Sequence, residues 1–509
     1  MKHLFIYLLA FIVFTSCYKD KGNYDYHVIN HWTVENFDST KGYTVLLGDT
    51  LKINPTLKWS NDPNPSDANY NYAWSFRYRP SSNLPFIDTV IGTDKNLNAK
   101  INLLPGNYSL AYRVTDKSNG VTFQTRTNIL VSSKNFEGYM VLNDVNGKSR
   151  LDMLAYSKGT GLFTQYTDVL KEMNSNLPEQ GKPRQVLCMN YVGTNITPLN
   201  YGIFLLTETG TNRIHQETFA YEPTMNIRYL MVGNIANDFK ADVLTGENPS
   251  PTTVMFYMYA KGNMYAYSTL YGYAFRNDPI NVYAAASAPF KVSPYVVTDG
   301  TVGVMYNTDK RCFVQAANFN SSFVADVVAA RNFPTGLDLV WMERSYNSTS
   351  RSVYAVLKDP VTAKYYLLRF PIAGAQTLFK EITAPDFAQA TSYAVSPDVN
   401  YLFYSVGGKV YEYDFNLGTP TTTLMIDKGN STITYMGFPH FYNSFVAANA
   451  NTYKLWATYL TVGTYDPAGT PGANGTLECY SVPEISKPLV KTMGWTGLGK
   501  IVSVAYRER

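Results

Sequence analysis

Few residues of this chain have the types and spacings that do chemistry, and most of those fall short of a site. Only five histidines are present. His27 and His31 stand four apart, the spacing of two metal ligands on one helix face. They lie in a Tyr- and Asn-rich stretch with no helical pattern, so no metal is expected there. His215 and His440 are isolated and read as structural residues. Gly147-Lys148-Ser149 resembles the end of a phosphate-binding loop, but Leu142 occupies the position where that loop needs glycine, so the stretch reads as a turn. There is no Gly-x-Ser-x-Gly elbow and no His-Glu-x-x-His. Cys188, Cys312 and Cys479 form no Cys-x-x-Cys and read as buried thiols. Glu is sparse, and Asp falls mainly in turns such as Asp398 and Asp466. No catalytic set, metal or cofactor is therefore expected. The candidate ligand contacts are aromatic: Trp341, Tyr346, Tyr271 and Tyr273, in segments read as loops, where a ring can stack on a sugar or contact a peptide. The Gly-, Pro- and Thr-rich run 461–476 reads as a further long loop.

The elements that must position these residues show in the stretch 391–415. It reads as strand, Ser396-Pro397-Asp398-Val399-Asn400 turn, strand, Gly407-Gly408-Lys409 turn, strand. Its Tyr, Val and Phe suit a pleated, half-buried surface, and its turn residues suit tight reversals. The second half recurs: Gly408-Lys409-Val410-Tyr411-Glu412-Tyr413 parallels Gly262-Asn263-Met264-Tyr265-Ala266-Tyr267 and Gly475-Thr476-Leu477-Glu478-Cys479-Tyr480. Looser hairpin turns lie near positions 148, 212, 310 and 364, so seven hairpins follow one another at spacings of 44 to 67 residues. That period predicts an all-β chain ending in a β-propeller of seven blades over residues 137–509. Residues 138–142 begin a blade with no first strand before them, and residues 499–506 look like a first strand with nothing after it, so the chain's two ends are expected to share one blade.

Lys and Arg number 43 against 39 Asp and Glu, so no electrostatic footprint for nucleic acid appears. Residues 34–133 read as an independent unit. Tyr108, Leu110, Tyr112 and Val114 alternate onto one face, and Trp74 sits in a Tyr-x-Trp-x-Phe strand. Strands at this spacing around a buried Trp suit an Ig-like sandwich. Residues 1–16 read as an export signal: Lys2, then an apolar run from Leu4 to Phe14 too short to span a bilayer, then Thr15-Ser16 before Cys17. This resembles a bacterial lipobox, with Phe14 in place of the usual Leu, and it makes Cys17 the acylated N-terminus that anchors the protein in a membrane. Residues 17–33 then form a tether.

The start of that tether, Cys17-x-x-Asp20-x-Gly22-Asn23-Tyr24-Asp25-Tyr26, resembles the mature start of the PKD-like lipoproteins of Bacteroidetes, and Trp74 matches the core Trp of a PKD domain. The resemblance implies an outer-membrane surface lipoprotein accessory to a Sus-type uptake system. Its implied partners are a TonB-dependent SusC/SusD-like transporter with its lid lipoprotein and an oligopeptide or oligosaccharide ligand. Capture without catalysis is the expected role. A surface propeller enzyme (glycosidase, lyase or peptidase) and a structural scaffold of the importer are the alternatives. If Cys17 carries the anchor, Cys17→Ala moves the protein from the membrane to the soluble fraction and abolishes metabolic labelling with palmitate. Retention of the variant in the membrane fraction would contradict the reading.

Overall fold

The fold was analysed on a computed structural model, which describes residues 30–508 except 63, 80–84, 134–136, 192–200, 251–252, 269–271, 285–287, 319, 346–351 and 443–449. Cys17, Tyr271 and Tyr346 lie outside the described residues. The chain divides into two compact units, Met1–Ser132 and Ser133–Arg509, both built from strands.

In the first unit a five-stranded sheet runs in the order Tyr43–Leu46, Thr122–Ser132, Gly106–Asp116, Tyr70–Tyr78, Ile87–Gly92. Only its first pair is parallel. Trp32–Glu35 pairs with Thr56–Trp59, and Thr50–Ile53 with Leu97–Lys100. The first of these strands begins inside the stretch read as a tether. One core draws on all three sheets. Leu110, Tyr112 and Val114 face it as their alternation predicts, and Tyr108 packs at its margin. Trp74 is fully buried, stacks on Tyr112 at 4.1 Å and donates its indole N–H to the Asp94 carbonyl at 2.9 Å. It is not the sole core tryptophan. Trp59 is buried and stacks on Tyr70 at 4.2 Å, and Trp32 packs beside it.

Among the described residues the second unit holds seven successive antiparallel sheets. In the first, Gly138–Val145, Lys148–Ser157 and Leu162–Tyr166 are joined by the C-terminal strand Lys500–Arg507. The others start, in order, with Pro183–Asn190, Val243–Ser250, Val297–Thr298, Asp338–Arg344, Ser392–Val395 and Thr432–Gly437. These starting strands lie beside one another in sequence, and Lys500–Arg507 lies between the last of them and Pro183–Asn190. The arrangement is propeller-like. Each of the seven hairpins singled out in the sequence joins the second and third strands of one sheet, with Lys500–Arg507 counted as the first strand of its sheet; the second sheet has three strands among the described residues and the others four. Residues 461–465 belong to the paired strand Tyr459–Tyr465, so the loop there is only 466–474.

Apolar clusters fill the space between every sheet and the next, and Tyr139, Val141 and Leu154 of the first sheet meet Leu477 and Leu498 of the seventh. A middle strand therefore has a packed neighbour on both faces, and every position of Tyr201–Thr207 and Gly303–Asn307 is buried. That is why these strands read as unbroken apolar-aromatic runs rather than alternating ones. The outermost strand Leu162–Tyr166 has solvent beside it and stays largely exposed. Tight turns complete each hairpin. Gly407 adopts a left-handed φ of 57°, and a Cβ on Gly408 would lie 2.3 Å from the Ser431 carbonyl oxygen. Cys188, Cys312 and Cys479 are buried in the second, fourth and seventh sheets.

Closure rests on the pairing of Gly138–Val145 with Lys500–Arg507, running from Gly138 opposite Arg507 to Asp144 opposite Lys500. Truncation before Lys500 leaves Gly138–Val145 with an open edge and is expected to abolish the cooperative urea transition of the second unit. The milder Ile501→Ala, at a fully buried position, is expected to cost about 2–5 kcal/mol. Unchanged urea midpoints in both variants would contradict this account of closure.

Candidate functional site

A cavity of about 340 Å³ opens among the inner strands of the second unit. Tyr435 comes from the inner strand of the seventh sheet, and Phe438, His440 and Tyr442 from the segment that follows it. Gln185 to Cys188 come from the second sheet, Ser503 to Tyr506 from the C-terminal strand, and Glu343 from the fifth sheet. The volume sits at the low end of the roughly 300–1,000 Å³ of small-molecule sites. Tyr435, Phe438 and Tyr442 are half-buried, whereas Tyr139 and Tyr506 are buried. A larger depression on the first unit is shallow, and its polar groups satisfy one another: Asp67 accepts from Lys95 and from Tyr72, each at 2.9 Å.

Strand geometry sets the electrostatics. Successive side chains of Asp338–Arg344 alternate, so Trp341 packs toward the sixth sheet and Met342 toward the fourth. Glu343 follows Trp341's face and Arg344 follows Met342's. Arg344 donates to the carbonyl of Thr298 in the fourth sheet and stands 3.6 Å from Glu247 Oε2 of the third. His440 Nε2 stands 3.3 Å from the same oxygen, and its ring lies 3.9 Å from that of Tyr442. Burial, reinforced by Arg344, holds His440 well below the usual imidazole range, so it is neutral at physiological pH. Glu247 thus ties the third, fifth and seventh sheets together around a compensated charge.

Glu343 is different. Its carboxyl has no hydrogen-bond or ion-pair partner among the described residues, yet it keeps some accessible surface, because it faces the cavity rather than the packed layer. Removal from bulk water pushes it up to about 8. Tyr295 and Tyr435 are close enough to feel its charge.

The C-terminal strand braces this region. Arg507 is buried 3.2 Å from Glu217, the Ser503 hydroxyl accepts from the Val186 N–H at 3.1 Å, and Glu508 accepts from the Tyr442 N–H at 2.7 Å. Tyr453 and Tyr506 both donate to Glu137 Oε1, at 2.6 and 2.9 Å. Among the described residues no group of three or more His, Cys, Asp or Glu is placed to hold a metal ion.

Of the aromatic residues singled out in the sequence, the described Trp341 and Tyr273 are not among the cavity's lining residues. Trp341 is no loop residue. It lies in Asp338–Arg344, buried, with its ring 5.8 Å from that of Tyr393. Tyr273 is half-buried at the margin of the core between the second and third sheets, in a left-handed turn. Tyr435, Phe438 and Tyr442, which do line the cavity, lie close together in residues 435–442, but the groups they meet there, Glu343 and Gln185 to Cys188, are distant in sequence. One signal was readable, the Glu343-Arg344 pair closing the otherwise apolar run 339–342.

The chain matches the model of the PKD-like family over residues 17–183, a span that includes the first unit's strands and the first hairpins of the second. No curated protein matches it. Among solved structures it is similar to a quinonprotein alcohol dehydrogenase-like protein from Bacteroides thetaiotaomicron, with 13% identity, 94% of this chain and 97% of that one covered, and a TM-score of 0.37. It is similar to a protein from Lactobacillus plantarum, with 10% identity over 73% of this chain and 100% of that one and a TM-score of 0.42. A Dos1 propeller gives 11% identity over 70% of this chain and 86% of that one, with a TM-score of 0.34.

The carboxyl of Glu343 has a measurable consequence for stability. The unfolded chain releases this proton near 4.5, whereas the folded protein keeps it to about 8. The contribution to stability is therefore fully present below 4.5 and is lost as pH rises through 8. Glu478 acts in a separate window. Its contacts with Lys428 and Lys491 overcome the burial that opposes them and hold it down to about 2, so its contribution is present above 4.5 and lost as pH falls toward 2. Urea titrations from pH 5 to 9 should show wild-type stability falling relative to Glu343→Gln. Parallel curves would contradict the assignment.

Proposed function

We propose that the second unit is a seven-bladed β-propeller and the first an Ig-like sandwich of PKD type. On this reading they belong to a lipid-anchored surface lipoprotein accessory to a Sus-type importer. The cavity among the inner strands captures part of an oligopeptide or oligosaccharide, and the protein releases its ligand unchanged to a SusC/SusD-like transporter and lid. The observation that carries the binding reading is the cluster of half-buried rings, Tyr435, Phe438 and Tyr442, around an enclosed space with a few polar groups. Rings supply contact area at low conformational cost, and the polar groups supply orientation. The lipoprotein and importer parts of the reading rest on Cys17 and the motif that follows it. Anchoring both partners in one membrane raises the effective concentration of released ligand at the importer.

One observation favours a second reading. A carboxyl that keeps its proton near neutral pH, as Glu343 does, is also what a general acid needs. The test covers both. The protein is extracted gently from its membrane, co-purifying proteins are identified, and glycan and peptide arrays are probed. Recovery of a TonB-dependent transporter together with array binding supports the proposal. Tyr435→Ala is expected to weaken the binding by about tenfold or more, the effect of truncating a central aromatic contact. Conversion of the bound ligand to products would favour the surface enzyme, and absence of both binding and conversion would favour the scaffold.

A further inference from the structure

We propose that the cavity takes an organic cation, an alkylammonium group of the captured ligand, with the Glu343 carboxylate as its counter-ion and the rings of Tyr435, Phe438 and Tyr442 as its walls. This rests on the reading of the cavity as the binding site and narrows what it binds.

The argument starts from charge compensation. Other carboxylates set among the inner strands each have a partner. Glu247 has Arg344 and His440, Glu217 has Arg507, and Glu137 has Lys158 and two tyrosine hydroxyls. Glu343 alone in this set faces the cavity with none among the described residues. An ionised carboxyl away from bulk water is costly, so the free protein neutralises this one, and a cation entering the cavity is the partner that lets it ionise.

The surroundings select the kind of donor. Arg344 is on the same strand but turns to the opposite face, toward Thr298 and Glu247. From the segment before the fourth sheet the facing titratable group is Tyr295, and from the seventh sheet it is Tyr435. His440, from the segment after Tyr435, is neutral. The second sheet contributes the uncharged Gln185 and the thiol Cys188, and the first sheet contributes Tyr139 and Tyr506, the latter with its hydroxyl donated to Glu137. No cation of the protein competes at the cavity wall among the described residues, so ionised Glu343 leaves one net negative charge there. Electron-rich ring faces attract a cation and do not attract an anion. A cavity of about 340 Å³ admits a butylammonium-sized group. Lysyl side chains, peptide N-termini and amino sugars all present this chemistry.

The free protein holds Glu343 largely protonated at neutral pH, whereas the bound cation needs the carboxylate. Binding is therefore coupled to proton release, and affinity rises with pH toward 8. The groups facing Glu343 named above, Tyr295, Tyr435 and neutral His440, do not change charge in that interval.

The test is titration calorimetry on the detergent-solubilised full-length protein with n-butylammonium, with n-butanol as the neutral control, in buffers of different ionisation enthalpy. Expected results are butylammonium bound about tenfold or more tightly than butanol, release of close to one proton per cation near pH 7, and tightening from pH 6 to 8. Glu343→Gln, checked for folding by circular dichroism, should lose the preference for the cation. Equal binding of cation and butanol, or no proton release by the wild type, would overturn the inference without recourse to a variant. The peptide Ala-Lys-Ala, its Nε-acetylated form, glucosamine oligomers and N-acetylglucosamine oligomers then distinguish the sources. Binding of acetylated forms that depends on Tyr435, with no preference for the free amines, would sink the cation while leaving the cavity as the site. Binding of none of these probes and no effect of Tyr435→Ala would remove the cavity reading itself.

Discussion

The second unit depends on one strand pairing. Lys500–Arg507 lies antiparallel to Gly138–Val145, so the last strand of the chain completes the sheet begun by the first. Hydrogen bonds across this seam remove a free edge on Gly138–Val145 that would otherwise invite intermolecular pairing. The seam also places Ile501 in the apolar layer between the seventh and first sheets, and Ser503 to Tyr506 at the cavity. Arg507 and Glu508, the last described residues, are buried and tie back to Glu217, Tyr201 and Tyr442. A C-terminus so deeply engaged couples the integrity of the ring to the geometry of the site.

Between the fifth and sixth sheets the protein uses tyrosine where a smaller core would use leucine. Tyr354 and Tyr404 are fully buried, yet each donates its hydroxyl, to Asn400 Oδ1 at 2.8 Å and to the Pro385 carbonyl at 2.7 Å. These two fill the space between sheets with ring area and satisfy their polar end locally. The same economy governs charge. Breaking a buried pair by removing one partner typically costs about 3–5 kcal/mol, and Arg344, Arg507 and Arg150 each keep a carboxylate nearby. Glu343 has no such partner among the described residues, and unlike the buried Glu412 it opens onto a cavity.

Much of the architecture was legible in the sequence, because turn chemistry and strand composition are local. The stretch around Gly407-Gly408 folds as the meander its residues describe, with Ser392–Val395, Leu402–Val406 and Lys409–Asp414 paired in order. Trp74 and the alternation of residues 108–114 marked the core of the first unit for the same reason. Loop assignments fared worse. Trp341 sits in the apolar inner strand Asp338–Arg344, and residues 461–465 are paired because tertiary packing converts a Thr- and Gly-containing stretch into strand. The site itself was hardly legible. Its half-buried rings come from residues 435–442 and its carboxyl from the fifth sheet, so the meeting of ring and carboxyl is a property of the ring of sheets and not of any segment. His440 looked isolated because its neighbours Arg344 and Glu247 lie about a hundred and two hundred residues away in sequence, respectively.

The central claim is that the enclosed space among the inner strands binds a ligand through its rings and the uncompensated carboxyl of Glu343. The most direct measurement is an experimental structure of the protein grown or soaked with Ala-Lys-Ala. The account predicts density for the lysyl ammonium within hydrogen-bond distance of the Glu343 carboxylate, between the rings of Tyr435 and Tyr442. An occupied site elsewhere on the chain with this cavity empty, or a Glu343 carboxylate already paired with a group of the protein, would contradict it.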